Sequence, residues 1–188
     1  MCKTCYPAAN DFACTESCCS DNCCESSEKK VLVEYLYLDL RTCDRCVGTD
    51  TVLEEVMATL TPVLELAGYT VDYSKTEITN AETAVQYEFL SSPTIRVNGQ
   101  DICQSVSETN CGCCSEISDT DVDCRVFEHN GNTYEVPPKE MLANAILRSV
   151  FGIVEDGCSC DSYELPDNLR SFFEGKESKK CSCENDCC

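Results

Sequence analysis

Residues 31–40, Val-Leu-Val-Glu-Tyr-Leu-Tyr-Leu-Asp-Leu, constrain this chain more than any other stretch. A nearly continuous run of Val, Leu and Tyr is the mark of a strand covered on both faces, as in sheets flanked by helices. Glu34 and Asp39 are its polar exceptions. Arg41-Thr42 and then Cys43-Asp44-Arg45-Cys46 follow at once. Beyond them Val52, Leu53, Val56, Met57, Leu60, Val63, Leu64 and Ala67 recur with the 3.6-residue period of an amphipathic helix. The order strand, CxxC, helix presents two thiols at a helix mouth. Unsatisfied N–H groups and the positive end of the helix dipole favour thiolate there, and thiolate is the nucleophile. Cys43 is therefore the expected attacking residue, and Cys46 can reach back to resolve a mixed disulfide. Arg45 should lower the Cys43 pKa and Asp44 should raise it, with the balance open. Asp39 reads either as a proton relay or as an acid at a solvated strand end.

The rest of the chain supports an α/β reading. Thr51 and Glu54 have capping-box spacing, although the helix can begin as early as Cys46. Pro62 is expected to kink the helix and Gly68 to end it. Residues 70–76 alternate as a second strand, parallel to the first through a helical crossover. Thr79 and Glu82 frame a short helix to about Phe89, which Ser91-Ser92-Pro93 breaks. Thr94–Val97, Asn98-Gly99 and Gln100–Cys103 read as a hairpin. Residues 104–123 read as a polar loop holding Cys111-Gly112-Cys113-Cys114, long enough to imply a function or an ordering ligand. A second hairpin turns at Asn130-Gly131, and Pro137-Pro138 starts a helix that Gly157 closes. A short helix is expected from Asp167 to Glu174.

Cysteine use sharpens the question of function. The chain has 20 cysteines in 188 residues, enough for a disulfide scaffold in a secreted protein. Its start, Met1-Cys-Lys-Thr-Cys-Tyr-Pro, has no apolar signal region, and no stretch approaches membrane-spanning length. The expectation is a cytoplasmic protein whose thiols serve redox or metal chemistry. The net charge of −20 argues against nucleic acid and against anionic membrane surfaces as partners. Two cysteine-rich segments, 1–30 and 158–188, flank a domain at 31–157 that carries an insertion at 104–136. The N-terminal segment has too few aliphatic residues to fold on apolar packing alone. The sole histidine, His129, lies beside a turn, so Cys/His catalysis has no support.

The CxxC at Cys43 and Cys46, followed by Ser92-Pro93 just before Thr94-Ile95-Arg96-Val97-Asn98-Gly99, resembles the thioredoxin superfamily. The resemblance covers about residues 31–154 and implies a thioredoxin-like central mixed sheet flanked by helices, with an inserted Cys-rich loop and hairpin. It also implies a cis Ser92–Pro93 peptide that brings Pro93 beside the CxxC. More narrowly, the chain is similar to an uncharacterised thioredoxin-like family of anaerobes. Some members carry selenocysteine, and some are linked to organomercurial-lyase-like systems, which implies an organometal-lyase-like partner. The chain departs from thioredoxin in having no Trp before the CxxC, Asp44-Arg45 between the cysteines, and the insertion.

Two functions follow. One is a thiol–disulfide oxidoreductase using Cys43 and Cys46 with a redox partner protein, serving soft-metal or organometal handling. The other is a thiolate-rich trap or carrier for mercury, arsenic, copper(I) or zinc. Its expected ligands are Cys103, Cys111, Cys113, Cys114 and Cys124, since thiolates prefer soft ions. Local disulfides pinning the long loop are the alternative for those five. A structural zinc ranks below dithiol chemistry for Cys43 and Cys46, because no second CxxC lies within the predicted core.

Overall fold

The computed structural model describes residues 29–103, 106–152 and 163–184, with side chains described up to 179. The seven cysteines expected in the N-terminal segment (Cys2, Cys5, Cys14, Cys18, Cys19, Cys23 and Cys24), together with Cys158, Cys160, Cys187 and Cys188, lie outside those residues. So do the side chains of Cys181 and Cys183.

The architecture is α/β, with a central mixed sheet flanked by helices. Strand β1 (Lys29–Tyr37) is the inner strand. It runs parallel to β2 (Tyr69–Glu77) and antiparallel to β3 (Thr94–Val97), giving the order β2-β1-β3-β4 with β4 at Gln100–Asp101. Helix α1 (Asp44–Leu66) makes the crossover between the parallel strands and continues through Pro62. Gly68 follows it at φ +85°, the left-handed conformation that a helix stop requires. One face of β1 presents Val31, Val33 and Tyr35 to Leu53, Val56, Met57, Leu60 and Leu64 of α1. Leu142 and Ile146 of α4 (Lys139–Phe151) complete that core. Each fully buried aliphatic side chain contributes about 1.5–3 kcal/mol here.

The other face of β1 departs from the even burial its sequence implies. Leu32 and Glu34 are only partly covered, whereas Leu36 and Leu38 are wholly buried. The cover lies at the C-terminal end of the strand, and the segment read as a polar loop supplies it. Residues 107–134 form a second antiparallel sheet, β5 (Ser107–Asn110), β6 (Asp123–His129) and β7 (Asn132–Tyr134). Helix α3 (Gly112–Ser118) connects β5 to β6. Helix α5 (Asp167–Glu184) is longer than expected and lies against α3. Its Leu169, Phe172 and Phe173 join Leu36, Leu38, Ile78 and Phe89 around five buried cysteines, Cys43, Cys46, Cys111, Cys114 and Cys124. The Gly175 position meets the Ser118 carbonyl so closely that a Cβ there would collide with it.

Other helix boundaries also move from their sequence positions. Helix α1 starts at Asp44 with Cys43 as N-cap, and the Thr51 hydroxyl, well inside the helix, donates to the Val47 carbonyl at 2.9 Å instead of capping. The short helix α2 (Ala81–Gln86) is capped by Asn80 rather than Thr79, its Oδ1 accepting the Thr83 N–H at 2.8 Å. Helix α4 ends at Phe151 with Gly152 as its cap, while Gly157 lies outside the described residues. Both Asn-Gly turns form where expected, with positive φ at Asn98, Gly99, Asn130 and Gly131.

Candidate metal centre

Cys43 ends an extended segment and caps α1, with Val47 N–H donating to its carbonyl at 2.9 Å. Asp39 shapes the approach to it. Its carboxylate accepts the amides of Arg41 (2.8 Å) and Thr42 (2.6 Å) and the Thr42 hydroxyl (3.0 Å). Burial works to raise the Asp39 pKa, but these donors outweigh it and hold the carboxyl below its ordinary value. Asp39 thus caps the loop that leads into Cys43.

Across from this junction stands a second of the same local form. Cys111 caps α3 as Cys43 caps α1, and Cys114 lies one turn in. The motif Cys111-Gly112-Cys113-Cys114 is itself a CxxC, a spacing that sequence reasoning passed over because it assigned the segment to a loop outside the core. Residue Cys124 on β6 completes the group.

The sulfurs of Cys43, Cys111, Cys114 and Cys124 all lie within 4.8 Å of one another, and all four residues are buried. Cys43 Sγ is 3.9 Å from Cys111 Sγ and 3.6 Å from Cys114 Sγ, and Cys124 Sγ is 3.3 Å from Cys114 Sγ. A tetrahedral zinc with bonds of about 2.3 Å sets its sulfurs about 3.8 Å apart. The four sulfurs therefore form a cage of the right size for one tetrahedral ion, and their donor chemistry suits a soft or borderline one. All seven cysteines whose side chains are described carry free thiols.

Without a cation, four thiolates in one buried volume would repel strongly, so the protons divide unequally. Hydrogen bonds from Cys111 and then Cys114 hold Cys43 firmly on the thiolate side. Hydrogen bonding with Cys114 and Cys124 draws Cys111 down to about 7. Cys114 and Cys124 are pushed up, chiefly by their bonds to Cys111, and keep their protons.

Arg45, between the two cysteines of the first motif, ties the halves of the centre together. Its buried guanidinium donates to the carbonyls of Thr109 (3.0 Å), Asn110 (2.8 Å) and Cys124 (3.0 Å), and to the Glu135 carboxylate at 2.5 Å. The helix carrying Cys43 is thus bonded to the backbone beside Cys111 and at Cys124. Because Glu135 offsets its charge, Arg45 acts mainly through geometry.

The remaining site residues fall elsewhere. Cys46 is outside the four-sulfur set, and its Sγ meets the Ser92 hydroxyl at 3.3 Å. Its pKa is pushed up by its hydrogen bond to Cys43 and by burial. The Tyr35 hydroxyl holds its carbonyl at 2.7 Å. The Ser92–Pro93 peptide is cis. Ser92 also accepts the Leu38 amide on its hydroxyl (3.2 Å) and the Arg125 amide on its carbonyl (2.7 Å), joining both sheets. Of the five expected ligands, Cys103 and Cys113 are not in the set. Cys113 is partly exposed and points at Asp44 Oδ2, 3.9 Å away. Cys103 lies by Asp101 and the fully buried Arg125, and burial pushes its thiol up to about 11.

Among the described residues no helix is long and apolar enough to cross a membrane. The family model Domain of unknown function (DUF2703) matches residues 31–146, and the chain belongs to that family. The matched stretch contains all four clustered sulfurs and Cys46, and it ends before α5. No curated protein and no solved structure matches the chain.

Proposed function

We propose that this chain binds one soft metal ion through Cys43, Cys111, Cys114 and Cys124, as a thiolate trap or carrier. One observation carries the reading: four buried sulfurs drawn from three separate parts of the chain lie within 4.8 Å of one another. Oxidation would join such thiols in pairs at about 2.05 Å, whereas all four are free. Tetrahedral S₄ coordination favours zinc among common ions, with copper(I) and mercury as softer competitors. Protein purified anaerobically should carry close to one equivalent of metal held by these four thiols. Cobalt(II) substituted into it should show the intense visible bands of tetrahedral thiolate coordination. A reduced, folded protein that takes up no zinc, cobalt or mercury at these four residues would remove the reading.

A second reading, dithiol exchange at Cys43 and Cys46 with a redox partner protein, is favoured by the position of Cys46. It sits one turn beyond the Cys43 thiolate and is left out of the four-sulfur set. The likeness of this junction to the thioredoxin superfamily supports it. On this reading Cys43→Ser abolishes exchange with a small disulfide, and exchange at the parental rate would exclude it.

A further inference from the structure

The four-sulfur set and the CxxC dithiol share a single atom, the Sγ of Cys43. We propose that metal occupancy and dithiol oxidation exclude each other at that atom, so that oxidation of Cys43 and Cys46 by a disulfide expels the metal. The proposal rests on the metal-binding reading and assigns a release step to the same site.

The geometry supplies five sulfurs where a tetrahedral ion takes four. Cys43 faces Cys111 and Cys114 across the cage, at 3.9 and 3.6 Å. Cys46 lies three positions on, in the first turn of the helix that Cys43 caps. Cys46 is held back from the cage by Ser92 and by the Tyr35 hydroxyl on its carbonyl. It is thus a spare thiol kept next to one ligand. A sulfur bonded to another sulfur is no longer a thiolate and holds a metal poorly. Closing the Cys43–Cys46 bridge leaves three thiolates and opens the coordination shell.

The oxidant is a low-molecular-weight disulfide such as glutathione disulfide. Its S–S bond breaks and accepts two electrons, one from each cysteine sulfur. The Cys43–Cys46 bond forms, and the metal–Cys43 bond breaks. The two glutathione sulfurs leave as one thiol, carrying the Cys46 proton, and one thiolate. The Cys111–Cys114 pair has the same spacing, but both of its sulfurs belong to the cage, so it offers no spare thiol.

Because metal binds only the reduced form, it stabilises that form by mass action. Each tenfold rise in free metal above the dissociation constant should raise the midpoint potential of this pair by about 30 mV, the tenfold equivalent for a two-electron couple. The full chain, purified anaerobically, is equilibrated with glutathione mixtures at two chelator-buffered zinc levels tenfold apart, both saturating the reduced protein. Acid quenching, alkylation and peptide mapping then read the Cys43–Cys46 pair. The expected result is a tenfold shift in the oxidising ratio needed for half-conversion, with zinc lost in step. An unmoved midpoint in a protein that binds zinc when reduced overturns the linkage and leaves the metal site standing. A bridge between Cys111 and Cys114 with Cys46 still a thiol overturns the assignment. Reduced protein that binds no zinc overturns both. Cys46→Ser, loaded with zinc, should keep it at a poise that empties the parent, and equal loss from both also overturns the proposal.

Discussion

The two CxxC–helix junctions of this chain share a spacing and differ in what they contribute. Each has its first cysteine at the N-cap of a helix and its second one turn in. The junction at Cys111 and Cys114 gives both sulfurs to the cage, whereas the junction at Cys43 and Cys46 gives one. The Cys43 junction opens a 23-residue helix packed along the main sheet, and the Cys111 junction a 7-residue helix between strands of the small sheet. The long helix is oriented by its own apolar face, which turns Cys46 inward toward Ser92. The short helix has Cys114 and Ser118 as its buried residues, so the cysteine itself is core. Spacing therefore makes a pair of thiols available, and the surface opposite decides how many of them become ligands.

That asymmetry can be broken most strongly at the second junction. Cys114→Ser removes one of four ligands and should lower metal affinity by more than the ~10–100-fold typical of losses around the ligands. Competition against a chromophoric chelator measures it, with Cys113→Ser as the comparison expected to match the parent. Next comes the clamp between the junctions. Arg45→Met should weaken metal binding by about 10–100-fold. Arg45→Lys should restore little, since an ammonium cannot fork onto three carbonyls at once. Recovery of parental affinity by the lysine variant would mean that charge, and not the fork, matters.

A smaller effect separates the two helices by stability alone. Gly175→Ala forces a methyl group against the Ser118 carbonyl and should cost about 1–3 kcal/mol. Hydrogen exchange should rise in α3 and α5 and stay unchanged in α1, whereas a uniform rise would show that the two junctions unfold as one unit. The mildest test concerns the loop before Cys43. The folded-state pKa of Asp39 is lowered, so its contribution is present above the unfolded value of about 3.9 and is lost as pH falls through the folded value. Asp39→Asn should lessen the loss of stability on acidification in denaturant titrations across that range, and an unchanged acid limb would remove Asp39 from the account.

Much of the main sheet was legible from the residues. The apolar run, the 3.6-residue period of α1 and the two Asn-Gly turns each carry their signal within a few neighbouring positions. The small sheet was not legible. Ser107-Glu-Thr-Asn110 has no apolar residue to alternate, and α3 is too short to show a period. Those elements are held by Arg45 from α1 and by Phe172 and Phe173 from α5, partners remote in sequence. The second CxxC was written plainly in the chain, and its weight came only with its neighbours. Thr51 shows the opposite error, a good local cap overridden because the helix had already begun seven residues earlier.

The residues by themselves determined that Cys43 and Cys46 sit one helical turn apart, because the apolar period that follows them specifies the helix; the helix under Cys111 and Cys114 came only with the fold. Tertiary structure decided that Cys43 joins Cys111, Cys114 and Cys124 while Cys46 stays out. Cys43 and Cys114 are 71 positions apart, and Cys114 and Cys124 are 10 apart. Sulfurs so separated meet only when long-range packing sets one sheet against the other, and the Arg45 fork and the apolar contacts of α5 do that here.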